Sequence, residues 1–224
     1  MKKIKLFSLF FALALVAQAV PMVTLGTFGP ATSGNYTATP NAEFAYVLDN
    51  YAPNARNATS FGTFCLEETE YFNPGYTYNV TLNDRAVLGG VTPTPGFDRL
   101  SLGTVWLYNK FATGTLNSFG FVYSNSTAAV NLQNVIWALE SESGGTINSL
   151  WTSVLNTQFG SVSVAKADAA SGQFGVMAMN LTSNGVNKQD QLVYVGEQVP
   201  DSASTMFLLS GIMGVLGMVV HRKD

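Results

Sequence analysis

Tyr76-Thr77-Tyr78-Asn79-Val80-Thr81-Leu82 alternates side chains at the period of a half-buried strand. Further on, Leu100-Ser101-Leu102-Gly103-Thr104-Val105-Trp106-Leu107-Tyr108-Asn109-Lys110-Phe111 sets Leu100, Val105, Leu107, Tyr108 and Phe111 mostly at helical spacing, with Ser101 placed to cap the helix. This change of period decides the fold class. On its N-terminal side, Val20 to Thr32 reads as a first strand and Gly34 to Ala42 as a polar loop. Glu43 to Leu48 reads as a strand or short helix, Asp49 to Ser60 as a loop, and Ser60 to Glu67 as a strand. Gly89 to Gly96, with Pro93 and Pro95, is a loop.

On its C-terminal side, Ala128 to Glu142 is the clearest helix, with Val130, Leu132, Val135, Ile136 and Leu139 as its apolar face. Ile147 to Phe159 is a third helix, ending before Gly160. Strand patterns return at Ser161 to Ala165, Gln173 to Leu181 and Gln191 to Val195, with a turn at Asn184-Gly185. The expected architecture is α+β: a β-dominated domain of sandwich- or barrel-like sheets with an insert of about three helices. No internal repeat is visible.

The chain has 224 residues, a net charge of −3, one cysteine and one histidine. Charged residues make up 11%, and Lys and Arg are scattered rather than gathered into a basic stripe, which argues against nucleic-acid binding. The one histidine, His221, lies beyond an apolar C-terminal run. The central domain therefore lacks the base of Ser-His-Asp and Cys-His hydrolases and the ligand of His-bound zinc or copper. No calcium-loop spacing surrounds Asp84 or Asp98. No cofactor or metal is expected.

Both ends read as export signals. Lys2, Lys3 and Lys5 precede an apolar stretch from Leu6 to Val16 and a small-x-small site at Ala17-Gln18-Ala19, the pattern of a cleaved signal peptide over 1–19. At the other end, Val199-Pro200-Asp201-Ser202 precedes an uncharged run from Thr205 to Val220 and then His221-Arg222-Lys223. That run, about 16 residues or roughly 24 Å as a helix, is somewhat short of a hydrocarbon core of about 30 Å. Arg222 and Lys223 would stop transfer and remain cytoplasmic, leaving the domain outside. The expected division is a signal peptide (1–19), an exported domain (20–198) and a C-terminal sorting segment (199–224). With its ends removed, the chain keeps roughly 180 residues, enough for one domain with a sizeable core.

The C-terminal order of motif, span and basic tail resembles the PEP-CTERM sorting signal in its Val-Pro-Asp form. The resemblance implies handling by a membrane protease of the exosortase type, transient anchoring in the inner membrane through the C-terminal helix, and release to the cell surface or extracellular matrix. Asp201 stands where Glu is more usual, and Ala203 where that variant has Gly.

A lone cysteine in an exported chain cannot form an internal disulfide. Cys65 lies in Phe64-Cys65-Leu66-Glu67-Glu68, and downstream comes Leu132-Gln133-Asn134-Val135-Ile136-Trp137. The two segments together resemble the Cys–Gln thioester domains of Gram-positive surface adhesins. The resemblance implies a cross-link between Cys65 and Gln133, shielded from water by Phe64 and Trp137, with Tyr71 and Phe72 as further walls. Such a bond is an electrophile for an amine- or hydroxyl-bearing target and reacts once, without turnover, so the chain is expected to be no enzyme. It lacks the separate stalk that usually projects such domains.

Two other readings remain open from the residues. Cys65 could be a buried small hydrophobe in a structural protein of the exopolysaccharide matrix. The clusters Glu67, Glu68 and Glu70 beside Cys65, and Glu140 with Glu142 after the Gln133 helix, could supply paired acids acting on a glycan, with Glu67 or Glu140 essential.

Overall fold

The computed structural model describes residues 20–27, 35–87 and 98–197. The expected signal peptide, the loop at 89–96 and the sorting segment, with Val199, Pro200, Asp201, Ser202, Arg222 and Lys223, lie outside the described residues. The domain is β-rich, with one curled six-stranded antiparallel sheet and a few helices.

The sheet is built from β1 (Met22–Gly26), β2 (Tyr36–Pro40), β3 (Phe61–Thr63), β4 (Thr77–Asn83), β7 (Val176–Ser183) and β8 (Val186–Tyr194), in the order β3-β2-β1-β4-β7-β8. β5 (Arg85–Ala86) and β6 (Asp98–Arg99) form a separate two-stranded ribbon. In β4 the alternation read from sequence is realised: Tyr78 and Val80 are buried while Thr77, Asn79 and Thr81 face solvent. β7 and β8 are joined at Asn184-Gly185, both at positive φ (51° and 74°), the conformation that a two-residue hairpin demands and that Asn-Gly adopts readily.

The sheet curls until its two edges meet. Beyond β3 the chain runs on along β8: Leu192 N–H donates to Phe64 O and Leu66 N–H to Asp190 O, each at 3.0 Å, with Cys65 opposite Gln191. The Thr63 hydroxyl adds a bond to Leu192 O at 2.7 Å. The exposed edges of an open sheet are thereby paired with one another. Cys65 sits in this seam.

Inside the curl lies α1 (Leu102–Ala112), buried on every side except at Leu102 and Lys110. A helix that is apolar all round belongs in a core. The Ser101 hydroxyl caps it, accepting from Thr104 N–H at 3.2 Å. The Tyr108 hydroxyl reaches the seam and donates to Gly62 O (2.9 Å) or Leu192 O (3.1 Å), with the Tyr51 hydroxyl 2.8 Å away. α2 (Ser126–Leu139) is capped by Asn125 and turns Ala129, Leu132, Gln133, Val135, Ile136 and Leu139 inward. Val130, expected on that face, is 43% exposed. α3 (Ser149–Phe159) ends at Gly160, as its sequence predicts.

Two expectations are corrected. The segment from Gly34 to Ala42, read as a loop, contains β2: Thr37 and Thr39 favour extended backbone, and Ala38 is fully buried between β1 and β3. The segment Ser161 to Ala165, read as a strand from its alternation, is a one-turn helix, α4 (Val162–Ala165), capped by the Ser161 hydroxyl on Val164 N–H. Its Ser-Val-Ser-Val pattern is too short to tell the two periods apart, and the cap decides.

Candidate functional site

Cys65 is 1% exposed and Gln133, from the buried face of α2, is also 1% exposed. The two residues paired by the sequence reading do meet, across 68 positions of chain, but through the cysteine's main chain. Gln133 Oε1 accepts from Cys65 N–H at 2.8 Å, and Gln133 Nε2 donates to Cys65 O at 2.8 Å. Asn35 Nδ2 donates to the same Oε1 at 3.3 Å.

The carboxamide at the sulfur is a different one. Gln191 of β8, fully buried, places Nε2 3.1 Å from Cys65 Sγ and donates to it. Its Oε1 is buried and has no hydrogen-bond partner among the described residues. Cys65 and Gln191 stand opposite each other in the seam, and directly opposed side chains of an antiparallel pair lie on the same face. Gln191 is the candidate site residue that the sequence reading missed. Its signal was weak: β8 also carries Asn187 and Gln189, and only the buried run Leu192, Val193 and Tyr194 directly after it marks Gln191 as facing the interior of the fold.

No protein-family model, curated protein or solved structure matches the chain.

Electrostatics at the thiol is set by burial. Burial pushes the Cys65 thiol well above its ordinary range, the Gln191 hydrogen bond pulls it back in part, and Glu67 pushes it further up. Tyr36 of β2 lies within electrostatic reach: burial and then Cys65 raise its phenol. The resting sulfur is therefore a thiol rather than a thiolate, and whatever removes its proton must do so during reaction.

Phe64 is fully buried and meets Tyr108 and Phe111 edge-on, at centroid distances of 6.2 and 5.1 Å. It walls the core side of the seam. Trp137 is half-buried, one helical turn beyond Gln133, and its Nε1 is buried without an acceptor among the described residues. Phe72 is half-buried and packs edge-on against Tyr36 at 4.9 Å. Tyr71, by contrast, is 78% exposed and shields nothing.

The acidic residues divide into separate structural roles. Glu140 Oε1 accepts from Ser101 Oγ (2.8 Å) and Ser101 N–H (3.1 Å), so it reinforces the cap of α1. Its carboxyl is pushed up to about 7, chiefly by burial. Glu67 lies in the seam, with Oε2 accepting from Asp190 N–H at 3.1 Å and Oε1 buried without a partner among the described residues. Burial, then Asp190 and Glu70, push Glu67 well above the usual carboxylate range. Asp190 is raised to about 6 by burial, although it accepts from Val87 N–H, Asn180 Nδ2 and Leu181 N–H. Glu68 ties the segment after Cys65 to the loop after α2, accepting from Ser143 Oγ at 2.7 Å and Gly144 N–H at 2.6 Å. Among the described residues no group of three or more His, Cys, Asp or Glu side chains could hold a metal ion.

Proposed function

We propose that the domain is an exported covalent adhesin that carries an internal thioester on Cys65, with Gln191 as its acyl partner. The observation that carries this reading is the Gln191 carboxamide nitrogen 3.1 Å from Cys65 Sγ in a fully buried seam. An amide nitrogen at hydrogen-bond distance puts its carbonyl carbon one bond further from the sulfur, and a rotation of the carboxamide would turn its face to Sγ for attack. Gln133 is the second reading for the acyl group, favoured by its two hydrogen bonds to Cys65. To react, however, it would have to break both.

The chemistry balances as an exchange. Cys65 Sγ bonds to the Gln191 carboxamide carbon, the C–N bond breaks, and the amide nitrogen departs as ammonia with the thiol proton. An amine on the target then forms a new C–N bond, the C–S bond breaks, and a proton from the amine returns the sulfur to the thiol. Trp137 and Phe72 would exclude water, the competing nucleophile, while Phe64, next to Cys65 in an extended ladder, points to the opposite, core face of the seam. The signal peptide, the C-terminal span and handling by an exosortase-type protease belong to the same proposal. So does placement at the cell surface or in the matrix, opposite an amine- or hydroxyl-bearing target.

A specific observation also favours an unreactive structural protein of the matrix: the thiol is buried and its ionisation disfavoured, as for a cysteine used as a small hydrophobe. Intact mass of soluble protein covering residues 20–197 separates the two. A mass short by one ammonia, which rises by one methylamine on treatment as a newly alkylatable thiol appears, supports the adhesin. The methylamine-bearing peptide then distinguishes Gln191 from Gln133. A full mass in unreduced native protein sinks the thioester and leaves the matrix protein.

A further inference from the structure

We infer that Gln133 is a positioning residue for bond formation, its carboxamide holding the Cys65 peptide so that Sγ is presented to Gln191; this rests on the Cys65–Gln191 reading. The flanking hydrogen bonds of the seam run from Leu66 N–H to Asp190 O and from Leu192 N–H to Phe64 O. Cys65 and Gln191 are therefore a pair that exchange no main-chain bonds with each other, and the Cys65 N–H and C=O point away from β8. On that other side the described β2 register ends with Tyr36 opposite Thr63, and among the described residues no strand is paired with Cys65 there.

A buried peptide with neither group satisfied would be costly. Gln133 satisfies both groups from that side. One carboxamide accepts from the N–H and donates to the C=O, both at 2.8 Å, and Asn35 fixes its oxygen from behind. The clamp is rigid because its neighbours on α2, Leu132 and Ile136, are fully buried in the core. Rotation of the Cys65 peptide would swing Sγ away from the amide carbon, and small misplacements of reacting atoms lower rates steeply. Two buried glutamines at one cysteine then have two tasks: one reacts and the other aims.

Ammonia supplies the test, because ammonolysis returns the bond to thiol and carboxamide. After ammonia is removed, re-formation is followed by intact mass in wild type, Gln133→Met and Gln133→Glu, between about pH 5 and about pH 8. Gln133→Met keeps the shape and removes both bonds, so re-formation is expected to slow about tenfold or more at every pH. Gln133→Glu is expected to match wild type at the acid end, where the protonated carboxyl can still donate to Cys65 O. Its rate relative to wild type then falls as that carboxyl ionises. Tyr36 on β2 and Glu67 beside Cys65 are titratable groups around the thiol that both proteins share, so the ratio isolates the substituted group.

If both variants re-form the bond at the wild-type rate with the link at Gln191, the positioning role falls and the bond stands. If the wild-type link maps to Gln133 and neither variant ever loses ammonia, Gln133 is the acyl partner, and both the positioning role and the Gln191 assignment fall. A wild-type protein that never loses ammonia overturns the thioester itself and the positioning role with it. Should Gln133→Met fail to fold, the pH profile of Gln133→Glu decides alone.

Discussion

At the scale of single residues, the site turns on which amide faces a sulfur. Gln191 and Gln133 are both buried, and both approach Cys65 within hydrogen-bond distance, but Gln191 meets Sγ and Gln133 meets the peptide. Replacing Gln191 by Glu preserves the shape of the side chain and removes ammonia as leaving group. Gln191→Glu is therefore expected to show no loss of ammonia in its intact mass and no methylamine adduct. Its thiol should be alkylated slowly when native, because Cys65 is buried, and rapidly in denaturant. A Gln191→Glu protein that still lost ammonia would move the bond to Gln133. Cys65 and Gln133 stood out in the sequence because each lies in a short, recognisable segment, but there Gln133 reads as the cross-linked residue, whereas in the fold it meets the Cys65 main chain. Gln191 did not stand out, because its meeting with Cys65 spans 126 positions and depends on a strand register that a single sequence does not specify.

At the scale of elements, the seam between the segment after β3 and β8 holds the site together, and α1 supports it from inside. The Tyr108 hydroxyl spans the join, within bonding distance of Gly62 O, Leu192 O and the Tyr51 hydroxyl. Tyr108→Phe keeps the ring packing and deletes these bonds. It is expected to cost about 1–3 kcal/mol in chemical denaturation, because carbonyls in the buried join lose a donor. Native-state alkylation of Cys65 should also become faster as the seam loosens. Unchanged stability and alkylation would show that Thr63 and the main-chain bonds close the seam without Tyr108. The helices were legible wherever a long apolar period coincided with a cap, as at Ser101 for α1 and before Gly160 for α3. β2 was hidden by its polar threonines, whose β-branching mattered more than their polarity. α4 was hidden by a single turn of alternating Ser and Val. Closure of the sheet was expected only as one of two architectures, sandwich- or barrel-like, since local pattern fixes where strands are and long-range pairing fixes where they go.

At the scale of the whole molecule, the fold buries acids both in the seam, at Glu67 and Asp190, and at the helix packing, at Glu140, and this sets a pH dependence. Burial raises Glu67 well above the usual range, Glu140 and Glu70 to about 7, and Asp190 to about 6. In the unfolded chain these groups return to ordinary carboxylate values near 4. Between those limits the folded state binds more protons than the unfolded state, so stability must fall as pH rises. Asp84 is shifted the other way, by Arg85 and Arg99, and its contribution is lost only at more acid pH. The melting temperature is therefore expected to decline as pH rises above about 4.5, and to decline less steeply once the raised groups with folded values near 6 and 7 have ionised. Glu67→Gln tests the seam's share of this effect. A neutral amide of the same shape can still accept from Asp190 N–H, so the variant should melt no lower than wild type near neutral pH, and its decline with pH should be shallower. A melting temperature that rose with pH over this range, or a variant with an unchanged slope, would mean that the buried carboxyls at the seam are solvated and ionised in the folded protein. In that case Glu67 would also lie closer to water than a protected Cys65 bond could tolerate.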